Sequence, residues 1–275
     1  MTEVAISVVA IVAGAASVGT ALRILRSVLE RPPHVRTNYR GRPVAGTAGV
    51  VLVVPLVLGA VIALVASRVG VRVVVSLLAA GLVMTALGYI DDVYGERHAR
   101  GFGGHVRELL HGRVTTGLIK AAGGGVVGIA AAAGTGRRGV WILVAGSVVA
   151  LSANLANLVD LRPARALKVW FPATTALVLA GLPGRAELVL LGVGGGAAVF
   201  AYSELRERVM LGDTGAGLLG VVVGVATISS AGPTSLLIIL GTLVALTAAS
   251  EVVSFSRVIE AVPPLRWVDG LGRRA

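Results

Sequence analysis

Cysteine is absent from this chain, which excludes disulfides, cysteine-ligated zinc and cysteine nucleophiles and leaves oxygen or imidazole ligands for any metal. Charged residues make up only 14% of the 275 residues and aromatic residues 4%, whereas 55% are hydrophobic. This balance excludes an ordinary water-soluble enzyme. The 38 glycines follow no fixed repeat and lie between long runs of Val, Ala and Leu, which excludes collagen, disorder and a coiled coil. We therefore predict an all-α polytopic membrane protein.

Apolar runs long enough to cross a bilayer recur along the sequence. We predict about nine transmembrane helices, at residues 4–22, 44–66, 73–90, 114–134, 140–159, 169–181, 188–202, 214–231 and 235–249. The sixth is short and contains Pro172, and its loss would reverse the orientation of every later span. We predict one transmembrane helical domain over residues 1–250. Residues 251–275 are typical of an amphipathic tail that lies at the membrane interface.

Basic residues are distributed unevenly over the connections between these spans. Nineteen of the 25 Lys and Arg residues lie on alternate connections, beginning with the one after the first span, and five lie on the other connections. The positive-inside rule therefore predicts that the N-terminus lies outside and that the C-terminus, with its amphipathic tail, lies in the cytoplasm. The predicted location is the inner (cytoplasmic) cell membrane. This orientation and attraction to the anionic lipid bilayer explain the net charge of +11, so we expect no nucleic-acid partner.

Acidic residues are concentrated on the predicted cytoplasmic side, where 12 of the 14 lie, several of them at the ends of spans. A carboxylate within or against the bilayer costs about 2.5 to 3.5 kcal/mol on insertion scales, so it needs a compensating cation or partner. Acidic residues in these positions therefore indicate a functional site.

The pair Asp91-Asp92 stands at the cytoplasmic end of the third predicted span. Adjacent carboxylates repel one another unless a cation lies beside them, and hard oxygen ligands suit Mg²⁺. An aspartate at the C-terminus of a helix also opposes the helix dipole, so its presence needs another reason. A solvated helix end is the alternative interpretation.

Three polar residues, Asn154, Asn157 and Asp160, lie at the end of the fifth predicted span. Their spacing of three residues places the side chains along one face of a helix, which indicates the lining of a site. The alternative is that the two asparagines form hydrogen bonds with neighbouring helices.

The segment 210–217 opens the eighth predicted span and reads Met-Leu-Gly-Asp-Thr-Gly-Ala-Gly. We expect Thr214 or Asp213 to cap the helix, the glycines to let a ligand approach the backbone, and free N–H groups to bind a phosphate. Asp213 would then hold a metal beside that phosphate. A plain helix cap with small-residue packing is the alternative.

Two further segments on the same side supply cationic and polar groups: one precedes the second span, and the other, residues 101–120, runs into the start of the fourth. Their candidate residues are Asn38, Arg40, Arg42, His105, Arg107 and Lys120. Arginine binds phosphate well, although arginines at a membrane face commonly contact lipid, and a lone histidine is more often structural than catalytic. Because all these groups share one side, we expect a phosphate-containing substrate that is part lipid and part water-soluble.

The order and content of these motifs resemble the polyprenyl-phosphate N-acetylhexosamine-1-phosphate transferases, the family of phospho-MurNAc-pentapeptide translocase and of the GlcNAc-1-phosphate transferases. The resemblance covers roughly residues 30–230. Its carriers are the loop with Asn38, Arg42, Pro43 and Gly49, the pair Asp91-Asp92, the run Asn154-x-x-Asn157-Leu158-Val159-Asp160, and the segment from Met210 to Gly215.

This resemblance implies a bundle of about ten helices with a cytoplasmic catalytic cleft. It also implies Mg²⁺-dependent transfer, with Mn²⁺ as an alternative ion, of a sugar 1-phosphate from a UDP-sugar to a polyprenyl phosphate, with release of UMP. Asp91, Asp92 and Asp160 correspond to catalytic acids, and Asn157 and Asp213 to metal ligands. The residues expected to contact substrate are Asn38, Arg40, Arg42, His105, Arg107, Lys120, Asn154 and Thr214.

The sequence departs from the family pattern in three places. The run after Asp160 reads Leu-Arg-Pro-Ala where the family usually has Gly-x-Asp-Gly, so a second acid is absent. Residues 251–275 contain no histidine where the family has a cluster of them, and a tenth span is missing. A lysine usual after the acidic pair has His105, Arg107 or Lys120 as candidate substitutes.

The expected function is therefore phosphosugar transfer for synthesis of a cell-envelope glycan such as peptidoglycan. A catalytically altered relative that binds lipid phosphate, or that scaffolds envelope assembly, is the main alternative. A transporter is less favoured, because its coupling carboxylates would lie near the middle of the bilayer. A homo-oligomer is compatible with the sequence. The prediction of transfer requires Asp91, Asp92, Asn157 and Asp213 to converge around one divalent ion.

Overall fold

The computed structural model of the chain describes residues 2–66, 70–95 and 101–273, apart from the side chains of residues 101, 102, 105 and 106. Within these ranges, eight helices are long and apolar enough to cross a membrane. The only sheet in the described ranges is one two-stranded hairpin. The protein is therefore an all-α, multi-pass membrane protein, as the composition predicts.

Thirteen α-helices follow one another along the described residues. They are α1 (Glu3–Ile24), α2 (Arg26–Leu29), α3 (Val53–Ala66), α4 (Val71–Tyr94), α5 (Gly101–Leu110), α6 (Thr116–Gly134), α7 (Val140–Val159), α8 (Arg165–Ala180), α9 (Glu187–Leu205), α10 (Gly212–Ser230), α11 (Pro233–Val252), α12 (Phe255–Ala261) and α13 (Pro263–Gly270). Short 3-10 turns, Ala48–Leu52 and Pro183–Arg185, precede α3 and α9. Helices dominate because a backbone surrounded by lipid must satisfy its own hydrogen bonds.

The sixth predicted span corresponds to α8, which has 16 residues, contains Pro172 and falls outside the eight span candidates. At its start, the N–H of Ala164 donates to the carboxylate of Glu204, in the last turn of α9. After its end, Arg185 donates to the carbonyl oxygen of Ala66, at the end of α3. The first contact places the start of α8 at the end of the bundle where α9 finishes. The second places the segment after α8 at the opposite end, where α3 finishes, so α8 connects the two ends despite its shorter length.

Glycines allow the helices around α10 to approach at backbone distance. A Cβ atom at Gly88 of α4 would lie 2.3 Å from the carbonyl oxygen of Asp213, and one at Gly49 would lie 2.2 Å from that of Leu211. A larger share of α10 is buried than of any other span candidate. The first turn of α10, with Asp213, is therefore held in the interior of the bundle beside the end of α4.

A β-hairpin replaces the start of the second predicted span. Strands β1 (Val35–Thr37) and β2 (Pro43–Ala45) pair antiparallel, and Val35 lies opposite Ala45. The carbonyl oxygen of Ala45 also accepts a hydrogen bond of 2.9 Å from the N–H of Met210. The prediction of a span from residue 44 is therefore wrong at its start, because residues 43–45 pair with neighbouring extended segments, and the candidate span begins at Ala48.

The tail of the chain is docked onto the start of α8. The carboxylate of Asp269, on α13, accepts hydrogen bonds of 2.8 and 2.9 Å from the guanidinium group of Arg165. Lys168 donates to the carbonyl oxygen of Asp269 at 2.6 Å. These contacts explain why α8 begins four residues before the predicted span, since its first turn is charged but is buried against the tail.

Candidate active site

Three helices bring two carboxylates and an ammonium group together at one end of the bundle. The Nζ atom of Lys120, in the second turn of α6, lies 2.6 Å from Oδ2 of Asp91 and 2.6 Å from Oδ2 of Asp213. Asp91 belongs to the last turn of α4 and Asp213 to the first turn of α10. The hydroxyl of Thr116 also donates to Oδ1 of Asp91, at 2.6 Å. Lys120, one of the three candidate substitutes for the family's lysine, therefore contacts both acids.

Asp92 closes the N-terminus of α10. Its carboxylate accepts hydrogen bonds from the N–H of Asp213, at 3.1 Å, from the N–H of Thr214, at 2.9 Å, and from the hydroxyl of Thr214. The first N–H groups of a helix lack partners within the helix, so a side-chain oxygen that accepts from them stabilises the helix end. The expectation that Asp213 or Thr214 caps this helix and leaves these N–H groups free is wrong, because α4 supplies the cap. Thr214 is fully buried behind the acidic pair.

The two asparagines at the end of α7 have different surroundings. The Oδ1 atom of Asn157 is buried and has no hydrogen-bond partner within the described part of the chain. A buried amide oxygen that accepts no hydrogen bond destabilises the folded state, because it has lost its hydrogen bonds with water. It is also a suitable ligand for a hard cation. Asn154 instead donates to the hydroxyl of Thr247 on α11, at 3.4 Å. Asn154 therefore forms a hydrogen bond with a neighbouring helix, which was the alternative to lining a site.

Asp160 follows α7 directly and belongs electrostatically to the same cluster. Burial raises the pKa of its carboxyl group well above the usual value, and the nearby negative charges of Glu204, Asp213 and Asp92 raise it further. A hydrogen bond from the N–H of Gly212 acts in the opposite direction but is the smaller effect. Asp160 therefore keeps its proton to a higher pH than an ordinary aspartate.

Glu204, in the last turn of α9, is a further acid at this end of the bundle, and the sequence-based candidates did not include it. Its buried carboxylate accepts from the N–H of Leu211 at 2.7 Å and from that of Ala164 at 3.1 Å. It thereby fixes both the segment that leads into α10 and the turn before α8. Its position just beyond the seventh predicted span, on the side rich in acids, is the sequence signal that could have identified it.

The loop residues predicted to bind substrate form part of a network around Glu207. Asn38 is buried, and its side-chain oxygen accepts from the N–H groups of Arg40 and Arg42, each at 2.9 Å, which shapes the hairpin turn. Asn38 donates to Glu207 at 3.3 Å, and Arg40 forms an ion pair with it at 3.1 Å. The guanidinium group of Arg162 lies 4.7 Å from the ring of Tyr39. Arg42 is exposed at the same end of the bundle.

The residues of α5 are not joined to the cluster by any described contact. Arg107 is exposed, and its carbonyl oxygen lies 2.7 Å from Nδ1 of His111. The side chain of His105 lies outside the described part of the structure. The predicted roles of Arg107 and His105 in substrate binding therefore stay predictions.

Within the described ranges, no three His, Asp or Glu side chains lie close enough together to hold a metal ion on their own. Asp91, Asp92 and Asp213 do lie at one end of the bundle, but Lys120 lies between two of them and Asp92 is engaged with a helix end. The predicted convergence of Asp91, Asp92, Asn157 and Asp213 around one divalent ion therefore stays a prediction, and Lys120 is the group here that can bind an anion.

Comparison of the chain with protein-family models and with curated proteins finds no match. The family resemblance of the four motifs therefore stays a prediction, and the chemistry of the residues themselves has to support a function.

Proposed function

We propose that this protein transfers a HexNAc-1-phosphate from a UDP-sugar to a polyprenyl phosphate and releases UMP, in the synthesis of a cell-envelope glycan. The observation that supports this proposal is the cluster of Asp91, Asp213 and Lys120 at one end of an apolar bundle, with Asp160 and Glu204 beside it. A lipid phosphate at a membrane surface would meet both a cation and carboxylates there.

The orientation belongs to the same proposal. We place the cluster on the cytoplasmic side of the inner membrane, because the connections at this end of the bundle carry most of the arginines. Nine crossings, eight by the span candidates and one by α8, then put the N-terminus outside and the C-terminus inside. A UDP-sugar is a cytoplasmic substrate in this arrangement, whereas the polyprenyl phosphate comes from the bilayer.

The residues around the cluster fit Mg²⁺, or Mn²⁺ in its place. The available donors are oxygens, and the buried Oδ1 atom of Asn157, which has no hydrogen-bond partner among the described residues, is the observation that favours a cation. Asp213, Asp91 and Asn157 would hold the ion. When bound, the ion would neutralise the charge of the diphosphate and of the departing UMP.

The protein's own residues contribute positioning and charge. Lys120 is a compact cation that can bind a phosphate once it separates from either carboxylate. The phosphate monoester of the acceptor has its second pKa near about 6, so it is largely dianionic at neutral pH and needs positioning more than deprotonation. A base at Asp91 is therefore optional. Asp160 lies beside this cluster, where burial and the neighbouring acids raise the pKa of its carboxyl group.

A release assay tests the proposal directly. The full chain, purified in detergent, is mixed with Mg²⁺, a polyprenyl phosphate and each of several UDP-HexNAc donors, and UMP is measured. We expect release with at least one donor, and we expect Asp213→Asn, which keeps the shape of the side chain, to abolish it. Glu260→Gln, at an exposed acid of α12, is the matched control and should retain activity. Equal rates for Asp213→Asn and the unmodified protein would contradict the proposal.

A relative without turnover is the second candidate function, and one observation favours it. The turn after Asp160 lacks the second acid of the family pattern, and the N–H of Ala164 in this turn is engaged by Glu204. This candidate predicts that the purified protein binds polyprenyl phosphate but releases no UMP from any donor. Carboxylates at helix ends rather than in the middle of the bundle do not favour a transporter.

A further inference from the structure

A cavity of about 820 Å³ lies between α1, α9 and the β-hairpin. We call it the α1–α9 groove. Its apolar wall includes Leu22, Leu29 and Val199, and three arginines, Arg23, Arg26 and Arg208, also line it. None of the residues of the carboxylate cluster lines it, and strand β2 with the segment before α10 forms one of its walls. The groove is therefore a separate site at the same end of the bundle.

The positive charge in the groove is only partly balanced. Arg26 pairs with Glu30 at 2.9 Å, and Glu207 accepts from Arg40, outside the groove. The exposed guanidinium groups of Arg23 and Arg208 form no hydrogen bond or ion pair with any described residue. Two arginines without partners in one concave site favour a phosphate, which arginine binds through several N–H groups at once.

The apolar wall determines which phosphate compound fits. Arg23 lies in the last turn of α1, a span candidate of which only 17% is buried inside the protein, so that most of the helix faces its surroundings. The groove is therefore located where a membrane-spanning helix leaves the apolar part of the bilayer. A lipid at that depth would present its phosphate to the arginines and its acyl chain to apolar residues such as Leu22 and Val199. A free phosphate ion would leave the apolar wall unused.

We propose that the α1–α9 groove binds an anionic bilayer phospholipid, with its phosphate between Arg23 and Arg208. The lipid is bound and does not react, because the hairpin and the segment before α10 separate its phosphate from Lys120 and the carboxylates. This inference does not depend on the proposed transfer reaction, and its test needs no UDP-sugar.

The test measures lipid binding to the purified full chain by native mass spectrometry. Phosphatidylglycerol and the zwitterionic phosphatidylcholine are titrated separately. We expect phosphatidylglycerol to bind more tightly. A double substitution, Arg23→Gln with Arg208→Gln, should weaken it by about fivefold for each arginine removed. Arg257→Gln, at an exposed arginine of α12 outside the groove, should leave binding unchanged.

A second variant blocks the groove without changing charge. Gly19 lines the groove, and a Cβ atom there would lie 3.9 Å from the side chain of Val199, an ordinary contact, so Gly19→Leu adds bulk to the groove wall without a backbone clash. We expect this variant to lose phosphatidylglycerol binding. Gly241→Leu, at an α11 glycine with nothing within 4 Å, is the matched control and should bind normally.

Several results would overturn the proposal. Equal affinity for the two phospholipids would mean that the groove does not recognise the charge of the lipid. The same loss of binding in Arg257→Gln as in the double variant would mean that binding depends only on the overall positive charge of the protein. Competition by inorganic phosphate at concentrations similar to those of the lipid would show a simple anion site. Displacement of phosphatidylglycerol by polyprenyl phosphate, one for one and at lower concentration, would show that the groove belongs to the acceptor.

Discussion

The ammonium group of Lys120 lies 2.6 Å from the carboxylate of Asp213 and thereby joins α6 to α10 inside an apolar bundle. The side chain of Lys120 is 17% exposed and that of Asp213 is 34% exposed, so water screens this pair only in part. A charge in such a place is stable only with a partner. The pair therefore ties the lysine to the site and also keeps a cation where the proposed reaction needs one.

Removal of this cation should destabilise the protein and make it respond to metal. In Lys120→Met, Asp91 and Asp213 would face each other without the cation between them, at a cost of about 3 kcal/mol, the lower end of the range for breaking a buried pair. We expect a lower apparent Tm in detergent. Mg²⁺ should raise the Tm of this variant more than that of the unmodified protein, because the ion would replace the missing charge.

Lys120→Arg is the control for that experiment, because it keeps the positive charge and should retain most of the stability. An unchanged Tm of Lys120→Met in the absence of Mg²⁺ would contradict the structural role assigned to the ion pair.

Asp92 should contribute more to the stability of α10 than an exposed acid does. Asp92→Ala leaves the N–H groups of Asp213 and Thr214 without a partner in a largely buried place, at a cost of about 1 to 2 kcal/mol. Asp92→Asn keeps one accepting oxygen and should lose less. Thermal unfolding measures both variants, with Glu30→Gln as the exposed comparison, for which a change below about 0.5 kcal/mol is expected. Equal stability of Asp92→Ala and Glu30→Gln would exclude the capping role.

Asp160 should make the protein less stable as the pH rises. Its pKa is raised in the folded state above the value of 3.8 for an ordinary aspartate, so the protonated group is favoured by folding. The contribution is fully favourable below that value and is lost as the pH increases through the folded-state pKa. Asp160→Asn, which cannot ionise, should have a flatter profile of Tm against pH and a higher Tm at pH 8. The prediction fails if the two profiles run parallel between pH 5 and pH 8.

Asp269 has the opposite pH dependence, and it should control the docking of the tail. Burial alone would raise its pKa, but hydrogen bonds and charges from Arg165 and Arg273 outweigh this and lower it below 3.8. The docked state is therefore favoured above the ordinary pKa and is lost as the pH falls through the folded-state value. Hydrogen exchange of residues 255–270, corrected for intrinsic rates, should be slow at pH 7 and accelerate only below about pH 4.

Asp269→Asn should show faster exchange in the tail already at neutral pH, because it weakens the pairing with Arg165. Exchange rates of the tail that match the unmodified protein would show that the ion pair does not hold α13.

The helices were predictable from composition, and their partners were not. Runs such as residues 140–159 and 214–231 are apolar on all sides, so the bilayer decides that they are helical and no pattern is needed to find them. The start of α8 was missed because Arg165 and Lys168 look like solvated residues, although Asp269 covers them from the other end of the chain. The hairpin at residues 35–45 also accepts a hydrogen bond from Met210, which lies far away in the sequence.

Part of the candidate site was predictable for a similar reason. An acid at the end of an apolar span has few explanations, so Asp91, Asp160 and Asp213 stood out before any contact was known. Their roles depended on distances that the order of residues does not contain. The capping of α10 by Asp92 and the engagement of two N–H groups by Glu204 are both contacts between different helices.

The sequence by itself determined that this chain is a membrane-embedded bundle of helices whose acids and arginines lie near the helix ends. Both properties follow from the free-energy cost of placing unpaired backbone groups and charged side chains in lipid. Only the tertiary structure decided that Lys120 lies between Asp91 and Asp213, that Asp92 caps the N-terminus of α10, and that Asp269 of the tail pairs with Arg165. The reason is that charges in an apolar interior must find partners, and the packing of helices determines which partners lie within reach.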